Sequence, residues 1–193
     1  MEIAIFGGSF SPPHVGHALV AAWLRWSGTA DAVWLIPVYD HPFRQQAGAL
    51  QKDVQAPYAA RLRWCRALAE TVGPWVDVSD IESTLEGPSY TIHTLEALAA
   101  RHPEHRFRLV MGTDLLAGTG KWHRWDDIAA RFPPIVVGRG GYDDAPLAPT
   151  FPVVSSTEVR RRLRDDEPVA HLLPERVLEA MTRDGWGPGT ARW

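Results

Sequence analysis

The stretch from Ile3 to His17 constrains this chain more than any other. Ile3-Ala4-Ile5-Phe6 is a short, partly β-branched apolar run ended by Gly7-Gly8, the pattern of a buried strand. Past Ser9-Phe10-Ser11-Pro12-Pro13-His14-Val15, apolar residues recur at helical spacing (Leu19, Val20, Trp23, Leu24), and Gly28 marks the stop. A second run, Ala32-Val33-Trp34-Leu35-Ile36, is closed by Pro37. Strand, helix and strand with this crossover length form a parallel βαβ unit. The glycine loop therefore leads from the carboxyl end of the first strand into the first helix, where ligands sit in open parallel sheets.

The loop suits an anion. Gly7 and Gly8 let backbone N–H groups approach a phosphate closely. Pro12 and Pro13 stiffen the loop and reduce the entropy lost on ordering it. His14 and His17 are three apart, so they share a helix face near its positive end. Imidazoles there can donate to phosphoryl oxygens as charge builds in a transition state. Two other readings stay open: a metal-binding His pair, although no third ligand lies nearby, and a Gly-Gly turn with structural histidines. No Gly-Lys-Ser/Thr follows the glycines and Gly-x-Gly-x-x-Gly is absent, which excludes a Walker loop and disfavours a dehydrogenase site.

The same alternation continues. Pro57 opens a helix to about Thr71, with Leu62, Cys65 and Ala69 facing in, and Trp75–Val78 is a short third strand. Pro88-Ser89-Tyr90-Thr91 reads as a turn and helix start. Arg106–Met111 is a fourth strand, followed by Gly112-Thr113-Asp114. Gly112 permits a ligand at the strand end, and Asp114 suits either ribose hydroxyls or a helix cap. Ile135-Val136-Val137 is the fifth strand, and residues 138–152 form a Gly- and Pro-rich connection. In Val153-Val154-Ser155-Ser156-Thr157-Glu158-Val159-Arg160, Ser155 and Glu158 fit a capping box. Arg160 is then a cation in a first helical turn, where the dipole disfavours it unless an anion binds. Ser156, Thr157 and Arg160 can together hold the β- and γ-phosphates of a nucleotide. Arg161, Arg162 and Arg164 read as a solvated face. Pro174 begins a last helix through about Thr182, and the tail from Gly185 is expected to be loose. The expected architecture is one three-layer α/β domain, residues 1–193, with a mostly parallel five-stranded sheet.

Composition narrows the partners. A formal net charge of −3 argues against nucleic-acid binding through a general positive field. Cys65 is the single cysteine, expected as a small buried hydrophobe, so no intramolecular disulfide forms. No basic segment followed by an apolar run opens the chain, and its longest apolar stretch, Ala18 to Leu24, is too short for a bilayer. The expectation is a cytoplasmic protein with neither membrane nor nucleic acid as partner.

Gly7 to His17 resembles the nucleotidyltransferase signature Gly-Gly-[Ser/Thr]-Phe-[Asp/Asn]-Pro-x-His-x-Gly-His, with Ser11 at the usual Asp or Asn. Ser155 to Arg160 resembles its partner signature, Ser-Ser-Thr-x-[Ile/Val]-Arg. Ser89-Tyr90-Thr91-Ile92-His93-Thr94-Leu95 is similar to a Ser-Tyr-Thr-x-x-Thr-Leu motif, and Asp114 with Trp122 to a Gly-x-Asp…Trp pattern. Pro37 to Arg44 is similar to Pro-x-x-x-Pro-Pro-His-[Lys/Arg], with Phe43 replacing His. Over nearly its whole length the chain thus resembles the bacterial nicotinate mononucleotide adenylyltransferase family, which has a Rossmann-like fold.

The resemblance implies that ATP and nicotinate mononucleotide give the dinucleotide and pyrophosphate. His14, His17 and Arg160 would carry the catalysis. Gly7, Gly8, Ser9, Phe10, Gly16, Gly112, Asp114, Arg139, Ser155, Ser156 and Thr157 would bind ATP. Arg44, Tyr90, the backbone at Thr91 and a stacking Trp122 would bind the mononucleotide. Mg2+ would ride mainly on the phosphates, with no protein metal cage. Other readings are a related transferase with another substrate, such as the phosphopantetheine enzyme, a non-catalytic nucleotide sensor, and a metal-dependent hydrolase. Sequence leaves open the acid or amide pyridine substrate, the nucleotide preference given Ser11 and Phe43, and whether the chain forms a homo-oligomer.

Overall fold

Alternating side chains divide the core between the two faces of a central sheet. In β1 (Glu2–Gly8), Ile3 and Ile5 join one cluster and Ala4 the other. In β2 (Ala32–Pro37), Val33 and Leu35 oppose Ile36, and in β4 (Arg106–Gly112) Val110 opposes Phe107, Leu109 and Met111. The period of two places both faces in contact with helices, as a buried parallel sheet requires. One face carries α1 (Val15–Trp26), α2 (Tyr58–Val72), α6 (Ser156–Arg164) and α7 (Glu175–Arg183) through Leu24, Trp64, Val159 and Met181. The other carries α3 (Thr91–Arg101) and α5 (Trp125–Arg131) through Ile92, Leu95 and Ile128. This computed structural model describes residues 1–42, 56–139, 149–190 and 192–193.

The three-layer α/β architecture is the expected one, and the five expected strands form with β3 (Val76–Val78) and β5 (Ile135–Arg139) completing the set. A sixth joins them: β6 (Thr150–Phe151) pairs with β5 in the register Gly138↔Thr150 and Arg139↔Phe151. Two residues in a Gly- and Pro-rich connection give no periodicity to read, so the sequence hides this strand. The order is β3-β2-β1-β4-β5-β6, and every paired strand is parallel. β1 lies between β2 and β4, so the strand order reverses beside it and a crevice opens at the carboxyl ends of β1 and β4.

Local chemistry sets the boundaries. α1 ends where Gly28 takes a left-handed φ of 72°. Pro57 precedes α2 and Pro174 precedes α7, each as the residue flanking the first turn. α2 is turned slightly from the expected phase: Arg61, Trp64, Cys65 and Leu68 are buried, while Leu62 is only half-buried. Leu19 of α1 stays 43 % exposed although it continues the apolar pattern. The tail is also unlike the expected loose end. Trp186 and Trp193 pack with Trp64, and Trp193 Nε1 donates to Trp186 O at 2.7 Å. Among the described residues no helix is long and apolar enough to cross a membrane.

Candidate active site

The glycine loop occupies the crevice at the switch point. A Cβ on Gly7 would meet nothing within 4 Å, so its backbone borders open space. A Cβ on Gly8 would stand 3.3 Å from the Phe10 ring, which is buried and held by a left-handed φ of 47°. The buried ring in turn supports the histidines: Phe10 and His17 have ring centroids 4.8 Å apart, and His14 and His17 3.8 Å. His14 flanks α1 at its N-cap and His17 is the third helical residue. The His14 backbone N–H donates to His17 Nδ1 at 3.1 Å. With Nδ1 an acceptor, the neutral His17 ring carries its proton on Nε2. A Cβ on Gly16 would approach His14 Nδ1 to 3.0 Å, so that glycine makes room for the imidazole.

The C-terminal signature folds onto this loop. Arg160 Nη1 donates to Ser11 O at 2.8 Å, and the Ser156 hydroxyl donates to Pro12 O at 2.9 Å. Arg160 Nη2 also donates to Thr157 Oγ1 at 3.4 Å. Ser155 is the N-cap of α6, its Oγ accepting from Glu158 N at 3.1 Å. Val15 N donates to Leu172 O at 2.9 Å, tying the segment beyond α6 to the start of α1. The N-termini of two helices therefore flank one loop, and their dipoles favour an anion between them. The Glu158 carboxylate accepts from Arg161 and Arg162, not as the second arm of a capping box. Arg161 also pairs with Asp165 and Glu167. Arg161 and Arg162 are thus ion-paired, where the sequence suggested simple solvation.

At the end of β4, Asp114 lies in the first turn of the short helix α4 (Thr113–Leu116). A Cβ on Gly112 would collide with Asp114 Oδ1, so the glycine accommodates its neighbour's carboxylate. Thr91 opens α3 behind Tyr90, and a helix start has N–H groups with no carbonyl one turn back. Tyr90 also meets His123, ring centroids 4.6 Å apart, which brings the Ser-Tyr-Thr segment beside Trp122. Trp122 is half-buried and packs edge-on against Trp125 at 5.9 Å. Arg44 lies outside the described residues, as does the side chain of Arg139.

Two buried charges escaped the sequence reading. Arg61 lies in the inward phase of α2 with Trp64, Cys65 and Leu68; its spacing was the available signal. Glu82 sits in a 3-10 turn, Ile81–Thr84, where no periodicity exists. Burial pushes its carboxyl above the usual range. Hydrogen bonds from Tyr39 N–H, Ser89 and Thr94 and the Arg61 charge pull it back.

A glycine loop at the switch point of a parallel sheet, faced by paired imidazoles and two helix N-termini, defines the nucleotidyltransferase class of α/β domain. A cytidylyltransferase-like family model matches residues 5–162, from β1 through the Arg160 signature. Proteins named "probable nicotinate-nucleotide adenylyltransferase" in Anaeromyxobacter sp. (strain K) and Bacillus pumilus (strain SAFR-032) are 44% and 36% identical to this chain. The first alignment covers 95% of both chains; the second covers 91% of this chain and 93% of the relative. The Plasmodium falciparum nicotinic acid mononucleotide adenylyltransferase complexed with NaAD shares the fold. Its TM-score is 0.76 at 16% identity, over 95% of this chain and 96% of that one. The chain belongs to the nicotinate-nucleotide adenylyltransferase family.

Proposed function

We propose that this chain transfers the adenylyl group of ATP to nicotinate mononucleotide, giving nicotinate adenine dinucleotide and pyrophosphate. The observation that carries the reading is the closure of α6 on the glycine loop through Arg160 and Ser156, beside the stacked His14 and His17. The mononucleotide's 5′-phosphate oxygen attacks the α-phosphorus in line. The bond from that phosphorus to the α,β-bridging oxygen breaks, and its electrons leave with pyrophosphate. A phosphate monoester is already ionised at neutral pH, so the site needs no general base. Its work is alignment and charge stabilisation.

In this reading His17 Nε2–H and His14 donate to oxygens of the α-phosphate and the leaving group. Ser155, Ser156, Thr157 and Arg160 hold the β- and γ-phosphates at the α6 N-terminus. Gly7, Gly8, Ser9, Phe10, Gly16, Gly112, Asp114 and Arg139 shape the remaining nucleotide site. Tyr90, the Thr91 N–H, Trp122 and Arg44 receive the mononucleotide, with the pyridine carboxylate at the start of α3 and the ring on indole. Among the described residues no three His, Cys, Asp or Glu side chains converge on a cation position. Mg2+ carried on ATP oxygens and water would neutralise triphosphate charge. We place the enzyme in the cytoplasm, where ATP is available.

A pyrophosphate-release assay over several nucleoside triphosphates and pyridine mononucleotides tests the proposal. ATP with nicotinate mononucleotide is expected to turn over fastest. No release from any pair, or a clear preference for another pair, would overturn it.

A further inference from the structure

Between the two halves of the site lie two buried charges that the reaction itself does not use. Arg61 is 2% exposed. Its Nη1 donates to Ser9 O and its Nη2 to Val38 O, both at 2.8 Å, and its Nε donates to Ala56 O at 3.1 Å. Glu82 is 8% exposed. Its Oε2 accepts from Tyr39 N–H at 2.9 Å and its Oε1 from the Thr94 hydroxyl at 3.0 Å. The Thr94 hydroxyl also reaches Tyr90 O at 3.4 Å. The segments of Asp40 and Ser89 are joined twice, Asp40 N–H to Ser89 Oγ at 3.0 Å and Ser89 N–H to Asp40 O at 2.8 Å.

The two charges grip consecutive residues. Arg61 holds the carbonyl of Val38, and Glu82 holds the N–H of Tyr39. Beyond them, Arg61 reaches the glycine loop at Ser9, while Glu82 reaches α3 at Thr94 and, through the Thr94 hydroxyl, the turn at Tyr90. A continuous chain of hydrogen bonds thus runs from the triphosphate loop to the pyridine-binding turn through the exit of β2. Apolar side chains in their place would leave the carbonyls of Ser9, Val38 and Ala56 and the Tyr39 N–H without these partners. Charged groups add strong, directional bonds to the backbone of the loops that carry the substrates.

We propose that Arg61 and Glu82 are positioning residues that set the register between the ATP half and the mononucleotide half of the site. The proposal rests on the adenylyl-transfer reading above. In-line attack requires reacting atoms held at about 3–3.5 Å, and a misplacement of about 1 Å lowers the rate by roughly 100-fold. Each half keeps its own contacts when the register slips, so each substrate still binds alone.

The test compares Glu82→Gln, Arg61→Lys, the double variant and the milder Thr94→Val with the parent enzyme, at a temperature where each is folded by circular dichroism. Calorimetry measures each substrate alone, using a non-hydrolysable ATP analogue for the nucleotide; steady-state assays give kcat and both KM values. In Glu82→Gln, single-substrate affinities are expected to stay within about threefold while kcat falls by roughly 30-fold or more. Thr94→Val is expected to shift kcat the same way by about threefold to tenfold. The double variant is expected to be no worse than the poorer single, since the residues act as one unit. A kcat within about threefold of the parent in Glu82→Gln and Thr94→Val would overturn the proposal. So would a loss confined to melting temperature, or equal losses in kcat and in both substrate affinities. A parent enzyme that releases no pyrophosphate would instead overturn the adenylyl-transfer reading, a separate outcome.

Discussion

Gly16 and Gly112 owe their identity to neighbouring side chains. A methyl at residue 16 would press on the His14 ring, and one at residue 112 would strike the Asp114 carboxylate. Gly16→Ala should therefore lower kcat by about tenfold or more by turning an imidazole away from its oxygen, read in steady-state turnover with melting temperature as control. Replacing His17 by Ala should cut kcat by roughly 100-fold to 1,000-fold while a non-hydrolysable ATP analogue still binds within a few-fold, measured by calorimetry. The glycine and histidine spacing was legible in the sequence as a loop between the first strand and the first helix, where the structure has it. The reason for Gly112 was not, because the sequence suggested room for a ligand and a fold was needed to show Asp114 against it. Arg61 was hidden for a related reason: an arginine in an apolar helix phase is read as surface until the carbonyls of Ser9, Val38 and Ala56 are brought to it.

Among the elements, α6 carries the clearest link between local sequence and site. Its N-cap was readable from Ser155 and Glu158, and the Ser155 oxygen accepts from Glu158 N as expected. Ser155→Ala should destabilise the protein by about 1 kcal/mol, measured by chemical denaturation, and weaken retention of pyrophosphate. Farther along, Arg161 and Arg162 hold the Glu158 carboxyl down to about 2 through their hydrogen bonds. A depressed carboxyl pKa adds stability that is complete above its unfolded value, near 4.5, and disappears as pH falls through about 2. Glu158→Gln should flatten that acid limb of the stability curve. The three side chains lie partly exposed at the surface, so the change is small and should shrink further in high salt, as a pH series of thermal melts would show. The network itself was not legible, since Glu167 meets Arg161 only after the chain turns at residues 165–166.

Across the whole molecule, the alternation of apolar runs and helical patterns was enough to give the parallel sheet and its two helical layers. Three features needed the third dimension: the two-residue strand β6, the buried Arg61–Glu82 region, and the packed tail. The tail misled because its glycines suggest looseness, while its tryptophans find Trp64 only in the folded chain. Trp64 Nε1 donates to Asp184 Oδ2 at 2.9 Å, just before that tail begins. Trp193→Ala should remove about 3 kcal/mol or more of stability and lower the melting temperature, leaving kcat of the folded enzyme unchanged. Calorimetric melts beside turnover at low temperature separate the two effects.

The bond from Arg160 to Ser11 spans 149 positions in sequence. During synthesis, the glycine loop leaves the ribosome well before the segment that clamps it. A nascent polypeptide stalled ahead of residue 155 would carry both histidines and the first strands without the side chains that bond to Ser11 and Pro12. Closure of that loop is consequently coupled to the folding of a segment far downstream, and no local stretch of chain can complete it alone.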